Sequence, residues 1–217
     1  MNTNKNSYTL IYATVMVIVV ALMLALVSSS LKGIQTANVE LDKKKQILSS
    51  LNVDFEGQDA AALYDKYIVK ELVINTKAEV LSEIKGDAFK LDYIKELAKP
   101  LEERSLPLYI AEVDGKTKYI IPLRGAGLWG PIWGYIALND DKNMVYGTFF
   151  SHASETPGLG AEIAQANFQQ EFVGKRILND KNEFVSIAVM KSGQIAENQD
   201  QIDAISEIGR ASCRERV

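Results

Sequence analysis

One cysteine and one histidine stand in a chain of 217 residues. Cys213 alone cannot form an internal disulfide, and it says nothing about redox compartment. His152 alone excludes a histidine-based metal cluster. Grouped basic charge is also missing. The formal net charge is −4, and neutralising phosphates needs clustered Lys and Arg, so the balance argues against a nucleic-acid partner. No internal repeat, no nucleophile–base pair and no metal-ligand spacing is visible. What remains is ordinary globular composition, 47% hydrophobic and 24% charged, with length for one sizeable core.

Against that background Leu10 to Val27 (LIYATVMVIVVALMLALV) is unusual, with no charge, Pro or Gly across 18 residues. As a helix it is roughly 27 Å long, enough to span a bilayer core. A secretory signal peptide is the competing reading, with Ser28-Ser29-Ser30 as a small-residue cleavage site. The apolar run is longer than a typical signal core, which favours an uncleaved single-pass anchor. Lysines lie on both sides, at Lys5 and at Lys32 and Lys43-Lys44-Lys45. Local counting puts the C-terminal side in the cytoplasm, but large domains translocate regardless of charge.

From Leu31 to Leu51 apolar residues recur at threes and fours, which predicts a helical stalk continuing the anchor. Asn52 to Gly57 breaks it. Asp59 is the expected N-cap of a helix from Ala60 to about Val69, with Leu63, Tyr67 and Ile68 inward. Leu72-Val73-Ile74 reads as a short strand, and Phe89 to Leu97 as a helix ending at Lys99 before Pro100. Two hairpins follow. Asp114-Gly115 joins Leu108–Val113 to Lys118–Leu123, and Asn139-Asp140-Asp141-Lys142 joins Trp133–Leu138 to Met144–Phe150. Ala161 to Phe172 reads as a helix, and Arg176–Leu178 and Glu183–Met190 as the last strands. The soluble part is therefore expected to be α+β, a mostly antiparallel sheet with helices packed on it.

Two glycine-rich stretches punctuate this pattern. Arg124 to Gly134 holds both tryptophans and four of the 14 glycines, and Glu155-Thr156-Pro157-Gly158-Leu159-Gly160 packs two glycines and a proline into six residues. Glycine permits positive φ and close approach of a ligand to the backbone, and Pro157 fixes φ and removes a donor. The same composition also fits two tight turns with no ligand. The expectation is that the two stretches face each other across a flat ligand.

The end of the chain differs in texture. Residues 207–217 are abruptly Arg-rich, lack an apolar period and carry the only Cys, so they read as a translated vector or adapter scar. The expected organisation is a tail at 1–9, a membrane helix at 10–27, stalk and linker at 28–57, and a domain at 58–206.

With these pieces assembled, the chain resembles the C subunits of the bacterial sodium-translocating NADH:quinone oxidoreductases. Three features carry the resemblance: the N-terminal span with its stalk, the run containing Gly127-Leu128-Trp129-Gly130, and Glu155 to Gly160 with His152 before it. Glu-Thr-Pro-Gly-Leu-Gly is also found in the G subunits of the related Rnf electron-transport complexes, whereas Gly-Leu-Trp-Gly favours the sodium-pump family. The resemblance implies an FMN-binding domain on the periplasmic side of the inner membrane. It implies an electron carrier that is not catalytic alone, with the other subunits of the redox complex as partners. Quinone and sodium are met only through that complex. It further implies FMN esterified through its phosphate to the Thr of an Asp-x-x-Ser-Gly-Ala-Thr motif by a separate flavin transferase. Asp203-Ala204-Ile205-Ser206 matches the first four positions. Glu207, Ile208 and Gly209 stand where Gly, Ala and Thr belong, and no Thr lies beyond Thr156.

An isoalloxazine ring is apolar at its benzenoid end and rimmed by polar atoms at the other. Leu128, Trp129 and Leu159 are the expected walls. Thr156, Pro157 and the N–H groups of Gly158 and Gly160 are expected at the polar rim or ribityl chain, and Ser206 beside the attachment point. Glu155 either hydrogen-bonds the ribityl chain or braces the loop, and Trp133 is expected in the core. A membrane-anchored binding or assembly module without redox activity is the competing function.

Overall fold

Turn chemistry sets the sheet. In the computed structural model, which describes residues 6–191 and 193–205, Asp114 and Gly115 both have positive φ, 51° and 71°. That pair suits a two-residue hairpin turn whose twist matches its strands. It joins β3 (Ser105–Val113) to β4 (Lys116–Ala126), with Val113 opposite Lys116. The second hairpin joins β5 (Pro131–Leu138) to β6 (Val145–His152). Upstream, β1 (Ile68–Asn75) pairs with β3, and β2 (Val80–Ser82) pairs with β1 at the edge. The sheet order is β2-β1-β3-β4-β5-β6, antiparallel throughout, so the expected α+β architecture is the observed one.

The chain divides into two units, 1–42 and 43–217. Helix α1 (Asn6–Ser50) is 45 residues long and is the one helix among the described residues long and apolar enough to cross a membrane. Its apolar residues from Leu10 to Val27 are exposed. Ile47 and Leu48, in the second unit, are fully buried in the globular core. Gly147 on β6 makes that packing close, because a Cβ there would sit 2.5 Å from the Ser50 carbonyl oxygen.

Helix α2 (Ala60–Tyr67) starts where Asp59 accepts the Ala61 N–H. Its buried anchor is Tyr64, not the expected Leu63 and Tyr67, and Ile68 is buried as the first residue of β1. Tyr64 begins a row of aromatic edges through Phe89, Tyr109 and Tyr135, with centroids 5.6, 5.7 and 6.4 Å apart. The helix expected at Phe89–Leu97 is two, α3 (Asp87–Lys90) and α4 (Tyr93–Leu97). Leu91 is extended between them, and Asp92 caps a fresh start by accepting the Lys95 N–H.

The other hydrophobic cluster centres on Ile163, Phe168 and Ile202, with Phe150 and Phe172 against it. Here the helix expected at Ala161–Phe172 is a 3-10 turn, Gly160–Ala164, followed by α5 (Ala166–Gln170). Gln165 is extended at the break. The Gln169 side-chain amide donates to the Ile163 and Phe150 carbonyls, giving the Ile163 carbonyl a partner beside the break. The strands expected at Arg176–Leu178 and Glu183–Met190 are mostly isolated bridges. Side-chain acceptors replace the ladder there: Asn143 takes the N–H groups of Ile177 and Leu178, and Asn179 those of Lys181 and Glu183. Only β7 (Ala188–Met190) is a strand, parallel to β8 (Gln201–Asp203). The expected scar at 207–217 and the candidate Ser206 lie outside the described residues.

Candidate functional site

The first glycine-rich stretch is shorter as a loop than its composition suggests. Arg124–Ala126 belongs to β4 and Pro131–Gly134 to β5, so only residues 127–130 form the turn. Gly127 N–H donates to the Gly130 carbonyl at 2.8 Å. Gly134 is a packing glycine, because a Cβ there would overlap the Phe149 carbonyl oxygen of β6. Trp133, opposite Arg124 in the ladder, is half-buried.

The second stretch follows β6 directly. His152, the last residue of β6, accepts the Glu155 N–H at Nδ1 (3.2 Å). The Thr156 carbonyl accepts the N–H groups of both Leu159 and Ala161, folding residues 156–160 into a turn that leads into the 3-10 turn at Gly160–Ala164. Gly158 has φ 75°, and a Cβ there would meet open space, so the requirement for glycine is conformational. The N–H groups of Gly158 and Gly160 take no part in those turn bonds.

Glu155 ties the two stretches together. It is 4% exposed, and its Oε1 accepts the N–H of Trp129 at 3.0 Å and of Gly130 at 3.2 Å. Gly127 makes room for this, since a Cβ on it would overlap Oε1. The other oxygen, Oε2, is buried without a hydrogen-bond partner. Sequence reasoning left Glu155 open between ligand contact and brace. Nothing local signals an acceptor for amides some 25 positions upstream.

Three large apolar side chains border this junction in the open. Leu128 is 56% exposed, Trp129 64% and Leu159 38%. Thr156 is half-buried, and Pro157 and Gly158 are exposed. The end of β8 lies against the helical turns that follow the second stretch. Asp203, Ala204 and Ile205 share a cavity of about 300 Å³ with Glu162, Phe168 and Glu171. Asp203 N–H donates to Glu171 Oε2 at 3.1 Å, and Ile205 packs on the Ile163 cluster. On the other side of the hairpin Arg124 acts on the Tyr93 hydroxyl, whose pKa burial raises and Arg124 partly lowers. Tyr93 in turn donates to the Pro122 carbonyl.

Comparison with known proteins places these residues in a family segment. The FMN-binding domain family matches residues 127–207, which begins at the Gly127 turn. A crystal structure of the Na(+)-translocating NADH-quinone reductase C subunit from Parabacteroides distasonis is 44% identical with a TM-score of 0.74. That alignment covers 82% of this chain and 85% of the other. The corresponding C subunit of Haemophilus ducreyi is 29% identical across 94% of this chain and 84% of its own length. That of Pseudomonas aeruginosa is 28% identical across 94% and 86%. The NqrC structure from Shewanella oneidensis, 23% identical with a TM-score of 0.66 over 79% and 85% of the two chains, shares the fold.

Proposed function

This chain belongs to the family of C subunits of the Na(+)-translocating NADH-quinone reductases, and from that premise we propose that it is a flavoprotein which carries FMN at the Gly127–Gly130 and Glu155–Gly160 junction. One observation carries the reading: Glu155 pins the turn that presents Leu128 and Trp129 beside the loop that presents Leu159. The residues fit such a group. Exposed apolar walls suit the benzenoid end. Thr156 and the N–H groups of Gly158 and Gly160 suit the polar rim or ribityl chain, with Pro157 holding their backbone. When bound, FMN supplies one-electron transfer. The protein's residues hold the ring, limit its motion and shield one side from water.

The finer reading has three parts. In relatives with the full Asp-x-x-Ser-Gly-Ala-Thr motif, a flavin transferase would esterify FMN to the Thr, placed by Asp203–Ser206. The Leu10–Val27 helix anchors the chain in the bacterial inner membrane with the domain in the periplasm. The other subunits of the complex pass electrons through the flavin toward quinone while sodium is moved elsewhere.

In-gel flavin fluorescence after denaturation tests the first part. The sequence as given should show none even with the transferase co-expressed, and replacing residues 207–209 with Gly-Ala-Thr and a native-like ending should restore it. Covalent flavin on the chain as given would refute the motif assignment. Failure of both forms to bind FMN would favour a binding or assembly module instead. Protease added to sealed spheroplasts should digest the domain, and full protection would sink the orientation.

A further inference from the structure

We infer that Glu155 is a positioning residue for the flavin site, acting through the backbone of the Gly127–Gly130 turn and not by touching the ring; this rests on the flavin reading above. Both carboxyl oxygens are withdrawn from the open side. Oε1 is occupied by the Trp129 and Gly130 N–H groups, and Oε2 has no exposed surface for a ligand to reach. The carboxyl gives two backbone N–H groups an acceptor, at the cost of one buried oxygen left unpartnered. What the carboxyl achieves is order at a place where the fold otherwise supplies little.

The turn it holds is four residues long and projects two large side chains into solvent, and the backbone bond within it runs from Gly127 to Gly130. Two hydrogen bonds to one oxygen fix the peptide planes on either side of the Trp129 Cα, and with them the direction of the Trp129 side chain. The pin is itself held from behind, because the Glu155 N–H is bound by His152 at the end of β6. The order runs from the rigid sheet through His152 and Glu155 to the wall of the site. Gly127 is the other half of the device. Any side chain there would displace Oε1 and also crowd the Gly130 carbonyl oxygen at 2.9 Å, so the glycine is required by the carboxyl and by the turn it closes, and not by its own φ.

The test uses the full chain in detergent, with Trp133→Phe as background so that Trp129 is the only tryptophan. Hydrogen exchange at the Trp129 and Gly130 amides is measured without flavin. Free FMN is then titrated, following Trp129 quenching and the visible circular dichroism of the bound flavin. Glu155→Ala should speed exchange at both amides by about tenfold or more, weaken FMN binding by about tenfold and diminish the dichroism. Glu155→Gln should retain most of all three, since its amide oxygen accepts the same N–H groups. Gly127→Ala should speed exchange and weaken FMN binding at least as much as Glu155→Ala, and the double variant should be no worse than Gly127→Ala alone.

Unchanged exchange in Glu155→Ala overturns the pin. Faster exchange with unchanged FMN affinity and dichroism overturns its role in positioning. If the parent chain binds no FMN, the flavin reading fails while the exchange measurement still decides the pin. If Glu155→Ala does not fold, Gly127→Ala decides, and parent-like exchange and binding in that variant overturns the proposal.

Discussion

Tyr64→Phe removes one oxygen from the middle of the larger core. Tyr64 has no exposed surface, and its hydroxyl donates to Glu71 Oε1 at 2.9 Å. Glu71 is 4% exposed, and its other oxygen accepts the Gly86 N–H at 2.6 Å. Phenylalanine keeps the ring and its edge contact with Phe89, so no cavity larger than the hydroxyl forms. What changes is a carboxyl oxygen left buried without its donor. A hydrogen bond to a carboxylate contributes about 1.5–3 kcal/mol, and a domain of this size loses roughly 2–4 °C per kcal/mol. The expected fall in Tm is therefore roughly 3–12 °C. Thermal and urea denaturation of the full chain in detergent would measure it. A Tyr64→Phe variant within about 0.5 kcal/mol of the parent would refute the reasoning, since changes of that size are typical of surface sites.

Alkali probes the same core. Burial pushes the Tyr135 pKa up to about 12 from 10.0, and burial raises Tyr64 and Tyr109 further still. The neutral phenol is the folded form, so Tyr135's contribution is complete below pH 10 and is lost as pH rises toward 12, roughly 2–3 kcal/mol in all. In a phenolate absorbance titration these three of the nine tyrosines should ionise only with unfolding; smooth ionisation of all nine would contradict the burial. Gly134→Ala should cost about 3 kcal/mol or more by forcing β5 from β6, whereas Gly158→Ala should cost about 1 kcal/mol from its positive φ alone. Urea midpoints in the reverse order would show that the loop glycine, not the strand glycine, is the tighter site.

The parts of this fold that were legible were those whose signal is local. Asp114-Gly115 announces its hairpin because few other dipeptides accept two positive φ angles, and Asp59 announces α2 because a carboxylate before an alanine-rich run has few other uses. The break at Gln165 was not legible. A helical period runs through it, and the compensating donor, Gln169, is recognisable only once the Phe150 carbonyl is known to lie beside it. The parallel pair β7–β8 joins three-residue strands ten positions apart, too short for an alternation to emerge from the polar residues around them. At the site, glycine content marked both stretches but not their boundaries. Half of the first is strand, where Gly134 answers to a neighbouring carbonyl and Gly127 to a distant carboxyl.

The walls of the junction are shallow, and the end of β8 gives that shallowness a meaning. Ile205 sits on the cluster of Ile163, three residues into the helical turn that Gly160 begins, or about 6 Å along a 3-10 axis. In a relative with the proposed acceptor Thr, a leash of three or four residues leaving that point would have a reach of roughly 10–14 Å. A group carried on so short a leash experiences an effective concentration on the order of millimolar or higher at the neighbouring surface. Under that condition a surface of only millimolar affinity is occupied most of the time. If the proposed attachment holds in relatives that carry the acceptor Thr, such a site could stay open and leave an edge of its cargo bare beside Trp129.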